Sequence, residues 1–134
     1  MTISDSYRWF ITLSFAVLLI VLSVTPGHSQ KDDSIFSWLV VNTPTLVQKT
    51  MHIAAYAALA FLWVWTLEHI KQEPVRLATA FVLTLGFGIA LEWIQTMVPG
   101  RFGTLFDIVL NSLGAIAGLI AATLLLDDIC RSGP

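Results

Sequence analysis

The sequence predicts an all-α fold: a polytopic membrane bundle of four transmembrane helices, with a short interfacial segment between the first two. Three observations predict it. Of the 134 residues 56% are hydrophobic and only 12% charged, against roughly 25% charged in a soluble domain, and the mean hydropathy is +0.78. Four apolar stretches are each long enough to cross a hydrocarbon core of about 30 Å. The breaks between them gather the prolines and most of the charges, the residues that belong outside lipid. These stretches use up most of the chain, so a single domain over 1–134 is expected. A net charge of −2 favours no nucleic-acid partner. The one cysteine, Cys130, excludes an intrachain disulfide and any cysteine-based metal motif.

The first span is expected at about 9–26, an uncharged run that closes at Thr25-Pro26-Gly27. Arg8 ahead of it also suits a secretory leader, but the single n-region charge and the missing small-x-small site favour a retained helix. Tyr7 and Trp9 are rings suited to the membrane interface. The polar stretch that follows holds His28, Lys31, Asp32 and Asp33, then an apolar island at 35–41. That island is too short to cross and is expected to lie along the surface or cover a cavity. The second span, about 50–67, ends in Trp63, Trp65 and the charged turn at 68–76. Pro74 is expected to open the third helix, where its missing N–H does no harm. That third span, about 75–98, contains Gly86 and Gly88, which suit close helix packing. The fourth, about 104–126, is expected to end at Asp127-Asp128.

Four spans place both termini on one side. Arg8, Lys71, Arg76 and Arg131 fall there, while Lys31, Lys49 and Arg101 fall opposite. The positive-inside count of four against three slightly favours cytoplasmic termini.

Alternation of direction brings the start of span two, the end of span three and the start of span four to one membrane face, and all the unusual polar residues are expected there. Lys49, His52 and Tyr56 recur at offsets of three and seven, which at helical pitch confines them to an arc of roughly 60°. Glu92, Gln95 and Pro99 repeat those offsets, and Asp107, Asn111, Gly114 and Gly118 follow at four, seven and eleven. At 1.5 Å per residue, Glu92 lies about 10 Å deeper than Pro99 and Asn111 about 6 Å deeper than Asp107. Such depths describe a pocket open to one face. An ionisable side chain in lipid costs on the order of 2.5–3.5 kcal/mol by insertion scales, so Glu92 and Asp107 should meet a partner or water. Lys49, His52 and Arg101 are the available partners.

Several chemistries fit this set. Arg101 and Lys49 at the mouth suit an anionic head group, since a guanidinium grips a phosphate or carboxylate bidentately. His52 could serve as general base with Glu92 or Asp107 orienting it, as a hydrolase or transferase acting on a lipid head group requires. A third reading keeps the cluster structural, its charges fixing the packing of a helix bundle that serves as a partner subunit. Gly114 and Gly118 form a GxxxG pair, best read as helix packing. There is no HExxH or comparable motif, so neither a metal nor another cofactor is expected. His28 and His69 sit in polar turns and carry no expected role.

The run Glu92-x-x-Gln95-x-x-x-Pro99-Gly100-Arg101, then Asp107-x-x-x-Asn111-x-x-Gly114-x-x-x-Gly118, with the upstream Lys49-x-x-His52-x-x-x-Tyr56, resembles the VanZ-like membrane protein family. The motifs together cover about 70 residues, and it is their combined spacing that is distinctive. The family pattern usually has an aspartate before the lysine, where this chain has Gln48. The resemblance implies a small polytopic protein of the bacterial cytoplasmic membrane, from a family whose namesake is associated with low-level resistance to the glycopeptide teicoplanin. It carries over onto Lys49, His52, Tyr56, Glu92, Gln95, Arg101, Asp107 and Asn111, with membrane lipids or a lipid-linked envelope precursor as the expected partner.

Overall fold

The computed structural model describes residues 5–24, 45–98 and 104–131, apart from the side chains at 45, 48 and 127–131. These residues form four helices and no strand: α1 (Asp5–Val24), α2 (Thr45–Thr66), α3 (Glu73–Gln95) and α4 (Leu105–Arg131), with a single 3₁₀ turn at Leu67–His69 closing α2. All four are long and apolar enough to cross a membrane. At 1.5 Å per residue the shortest of them reaches roughly 30 Å. The interfacial island expected at 35–41 lies outside the described residues.

The helix ends differ from the expected spans in ways that local chemistry explains. α2 begins at Thr45 instead of near residue 50, because Leu46 and Val47 continue the apolar pattern and Lys49 does not terminate it. The Lys49 ammonium lies 4.7 Å from the centroid of the Phe106 ring, a cation–π contact that lets a long amphipathic side chain start inside a helix. In α3, Pro74 is the second helical residue, after Glu73, still among the four whose N–H groups have no intrahelical partner. The far end of α3 tightens, with Met97 N–H donating to Ile94 O (2.9 Å) and Val98 N–H to Gln95 O (3.1 Å). α4 continues to Arg131, past the Asp127-Asp128 pair expected to end it.

α2 is the central helix: it packs against each of the other three, most extensively against α4. One apolar cluster joins Leu59 of α2 to Ala16 and Leu19 of α1 and Leu91 of α3. A second joins Val64 and Leu67 to Ala80 of α3 and Ala122 of α4. The α2–α4 seam depends on glycine. A Cβ at Gly114 would stand 2.5 Å from the Ile53 carbonyl oxygen, and one at Gly118 would collide with the backbone of Ala57. The two helices therefore touch backbone to backbone, Ile53 on Gly114 and Ala57 on Gly118, the close approach that small residues four apart permit. Of the α3 glycines, Gly88 takes part in packing, since its missing Cβ would meet Tyr56 Cε1 at 2.9 Å, whereas Gly86 has nothing within 4 Å.

The outer surface is apolar. Phe10, Val17, Val82, Trp93, Ile120 and Leu124 are all exposed, which suits helices whose surroundings are acyl chains. α1 is the most peripheral, with 11% of its spanning window buried against 33% for α2.

A second polar cluster corrects the expectation that every unusual polar residue lies at one face. At the opposite end of the bundle Arg8 forms an ion pair with Glu68, donates to the Trp65 carbonyl at 3.1 Å and lies 5.4 Å from the Trp65 ring centroid. One turn along α1, the Thr12 and Thr66 hydroxyls share a buried 2.7 Å hydrogen bond. Trp9 and Trp63 meet edge to face nearby, with ring centroids 5.8 Å apart. The cluster pins α1 to the end of α2.

Candidate functional site

At the other end, α2, α3 and α4 converge. α2 and α4 run parallel, and the glycine seam sets their register: with Ile53 on Gly114, the preceding residue His52 comes level with Asn111. His52 Nδ1 and Asn111 Oδ1 are 3.1 Å apart. A carbonyl oxygen only accepts, so Nδ1 carries the donated proton and a neutral imidazole keeps its lone pair on Nε2. Tyr56, one turn deeper, lies stacked with His52 at 6.1 Å between centroids and is buried. Gly88 of α3 closes the arrangement from the third helix, since a Cβ there would stand 3.2 Å from Asn111 Nδ2.

Glu92, one turn further along α3, is 4% exposed, and both of its carboxylate oxygens are buried without a hydrogen-bond partner among the described residues. The charges of Asp107 and His52 bear on it, and the Asn111 side chain and Thr104 backbone neighbour it. The Thr104 N–H and the Asn111 amide are the donors nearest to its carboxylate. Asn111 is 1% exposed and its Nδ2 is likewise buried and unanswered. Burying polar atoms unpaired costs about 1–3 kcal/mol each, and more for charged groups, so the Asn111 donor and the Glu92 acceptor are best placed to answer one another. Gln95, on the same arc as Glu92, is buried, but no hydrogen bond ties its side chain to the others among the described residues.

Asp107 has a local task that its position in the sequence conceals. Thr104, just ahead of α4, donates from Oγ1 to Asp107 Oδ2 at 2.6 Å and accepts from the Asp107 N–H at 3.2 Å. This is an N-cap by the Thr104 hydroxyl, with the Asp107 carboxylate held against the same hydroxyl, and it places a negative charge at the positive end of the helix. Lys49 sits at the rim, one turn nearer the membrane face than His52. Neither Glu92 nor Asp107 forms an ion pair with Lys49 or His52 among the described residues. The group that orients His52 is thus the Asn111 amide and not either carboxylate. Arg101 lies outside the described residues, as do Pro99 and Gly100.

Of the eight residues selected from the sequence, the structure therefore gathers His52, Tyr56, Glu92 and Asn111 into one buried cluster. Lys49 and Asp107 stand at the edge of that cluster. Among the described residues, no three His, Cys, Asp or Glu side chains gather as a metal site would require. Sequence reasoning missed two participants. Thr104 was detectable from its Thr-x-x-Asp spacing, and Gly88 only from knowing which helices face it.

Searches of curated proteins and of solved structures find no match. A family model, VanZ/LLP1, matches residues 4–126, a stretch that includes every residue of the site and reaches into all four helices. The chain is a multi-pass membrane protein and belongs to the VanZ/LLP1 family.

Proposed function

We propose that this chain is a cell-envelope protein of the bacterial cytoplasmic membrane, with both termini cytoplasmic. At its extracytoplasmic face it binds the anionic head group of a lipid or lipid-linked cell-wall precursor. The observation that carries the reading is a buried polar cluster inside the span, Glu92, Asn111, His52 and Tyr56, beneath a rim that holds Lys49. Intramembrane ionisable residues mark ligand or ion sites by default, and a cationic rim attracts a phosphate. Where that head group belongs to a cell-wall precursor, the teicoplanin resistance linked to the family's namesake would extend to this chain. The test is saturable binding of anionic lipid by the purified protein. Lys49→Ala and Arg101→Ala each weaken it about tenfold, the scale of one lost charge-assisted hydrogen bond. Binding unchanged by both substitutions would refute the reading.

One observation favours a second reading, in which the site also performs chemistry on that head group. The Asn111 carbonyl leaves the His52 Nε2 lone pair free to take a proton, as a general base must. On this reading His52→Ala abolishes turnover of the lipid while leaving its binding intact. Turnover that survives the substitution excludes His52 as the base. If the cluster instead serves packing or a partner subunit alone, the same substitutions lower stability and leave lipid affinity untouched.

A further inference from the structure

An amide has one end that accepts hydrogen bonds and one that donates them, so the way round in which Asn111 sits decides what each neighbour meets. It stands between two helices. Towards α2 its Oδ1 lies 3.1 Å from His52 Nδ1. Towards α3 its Nδ2 faces Gly88, where a Cβ would stand 3.2 Å away, with Glu92 one turn further along that helix. Nothing about His52 fixes this choice, since a neutral imidazole can donate or accept at Nδ1 by changing tautomer. Glu92 does fix it. An ionised carboxylate only accepts, the Asn111 amide is the side-chain donor beside it, and a carbonyl turned that way would set two buried acceptors against each other. At 4% and 1% exposure, neither side chain has bulk water to answer it instead.

We propose that Glu92 is a positioning residue for His52 and acts through Asn111: its carboxylate holds the amide NH2 towards α3, which turns the carbonyl to His52 and keeps the ring proton on Nδ1. This rests on the second reading above, in which His52 is the base, and names what keeps its lone pair available. Turned over, Asn111 would present its NH2 to His52, and Nδ1 would have to accept. The ring proton would then sit on Nε2, and the atom that a base uses would already be occupied. The control passes from helix to helix, α3 orienting an amide of α4 that orients an imidazole of α2.

The test reads the tautomer directly, by nitrogen NMR of the full-length protein, isotopically labelled at histidine and held in nanodiscs at an alkaline pH where the imidazole is neutral. His28→Asn and His69→Gln leave His52 as the labelled ring. In a neutral imidazole the nitrogen with the lone pair resonates far downfield of the one with the proton. With Glu92 in place the downfield signal belongs to Nε2 alone. Glu92→Gln offers Asn111 a donor as well as an acceptor, so the amide sits either way round and a downfield signal from Nδ1 grows to a comparable share. Glu92→Leu, which takes a charge out of the buried interior and so eases folding, does the same. A Glu92 that served packing alone would shift or broaden the resonances and leave the downfield signal on Nε2. A ring that carries its proton on Nε2, wholly or in part, while Glu92 is present would overturn the inference, and so would a folded Glu92 variant that keeps the single tautomer. Neither lipid nor turnover enters the measurement, so such a failure leaves the head-group and general-base readings to their own tests. Turnover that survives His52→Ala would remove the base and leave the tautomer result standing.

Discussion

The α2–α4 seam supports the sharpest quantitative prediction. Replacing Gly114 by alanine places a methyl 2.5 Å from Ile53 O, 3.1 Å from its Cα and 3.2 Å from its carbonyl carbon. All three are backbone atoms, which cannot rotate away. Restoring an ordinary contact of 3.4 Å requires the helices to part by about 0.9 Å, and overpacking of this kind costs about 1–3 kcal/mol. Alanine's better helix propensity returns roughly 0.5–1 kcal/mol, so the net loss centres on about 1 kcal/mol and reaches at most about 2.5 kcal/mol. Gly118→Ala is at least as costly, because the Ala57 backbone stands closer still. Gly86→Ala meets nothing within 4 Å and gains the propensity term alone, a change of opposite sign. Tryptophan fluorescence during denaturant unfolding of the purified protein in detergent measures all three. The separation also reaches the site: because His52 adjoins Ile53, its 3.1 Å bond to Asn111 stretches to about 4 Å, beyond hydrogen-bond range. Lipid affinity should fall in Gly114→Ala and hold in Gly86→Ala. Gly118→Ala unfolding no more readily than the wild type, or Gly86→Ala losing as much, would refute the backbone-contact account.

Three further outcomes follow from other contacts. Thr104→Ala removes the cap and the Asp107 partner together and lowers unfolding stability by about 0.5–2 kcal/mol, whereas Thr104→Ser, which keeps the hydroxyl, stays near wild type; equal losses in the two would deny the capping role. Thr12→Val and Thr66→Val each cost about 0.6–2 kcal/mol, and because the hydroxyls serve one another the double variant costs clearly less than the sum. Strict additivity would show that the two side chains act independently. With cytoplasmic termini, Cys130 resists a membrane-impermeant maleimide in intact cells and reacts after permeabilisation; labelling of intact cells would reverse the proposed orientation.

How much was legible in the sequence follows from how rarely polar groups enter lipid. His52, Glu92 and Asn111 stood out because each interrupts an apolar run and shares a helical arc with other polar residues, and topology alone carried the three arcs to one face. Which atoms meet was not legible. His52 was expected to lean on a carboxylate, and its partner is an amide, because the register of α2 on α4 is set by backbone contact at Gly114 and Gly118 and not by charge. Asp107 is part of a helix cap by its Thr-x-x-Asp spacing and still a neighbour of Glu92 by its charge, and membrane depth alone distinguishes neither. The opposite cluster escaped for the reverse reason: Thr12 and Thr66 pass as ordinary members of apolar helices until a hydroxyl is found facing each one. Arg8 and Thr12, four apart, were its visible trace.

The narrow attachment of α1 has an evolutionary consequence. Arg8, Thr12, Ala16 and Leu19 form one stripe, successively an ion pair, a shared hydroxyl bond and two apolar contacts. Phe10, Leu13, Val17 and Leu18 of that helix are exposed, facing the bilayer, where any greasy side chain serves as well as another. Drift should therefore run freely around most of its circumference and stall along a single line, so that two descendants could differ at nearly every outward position of α1 and still dock it in the same place.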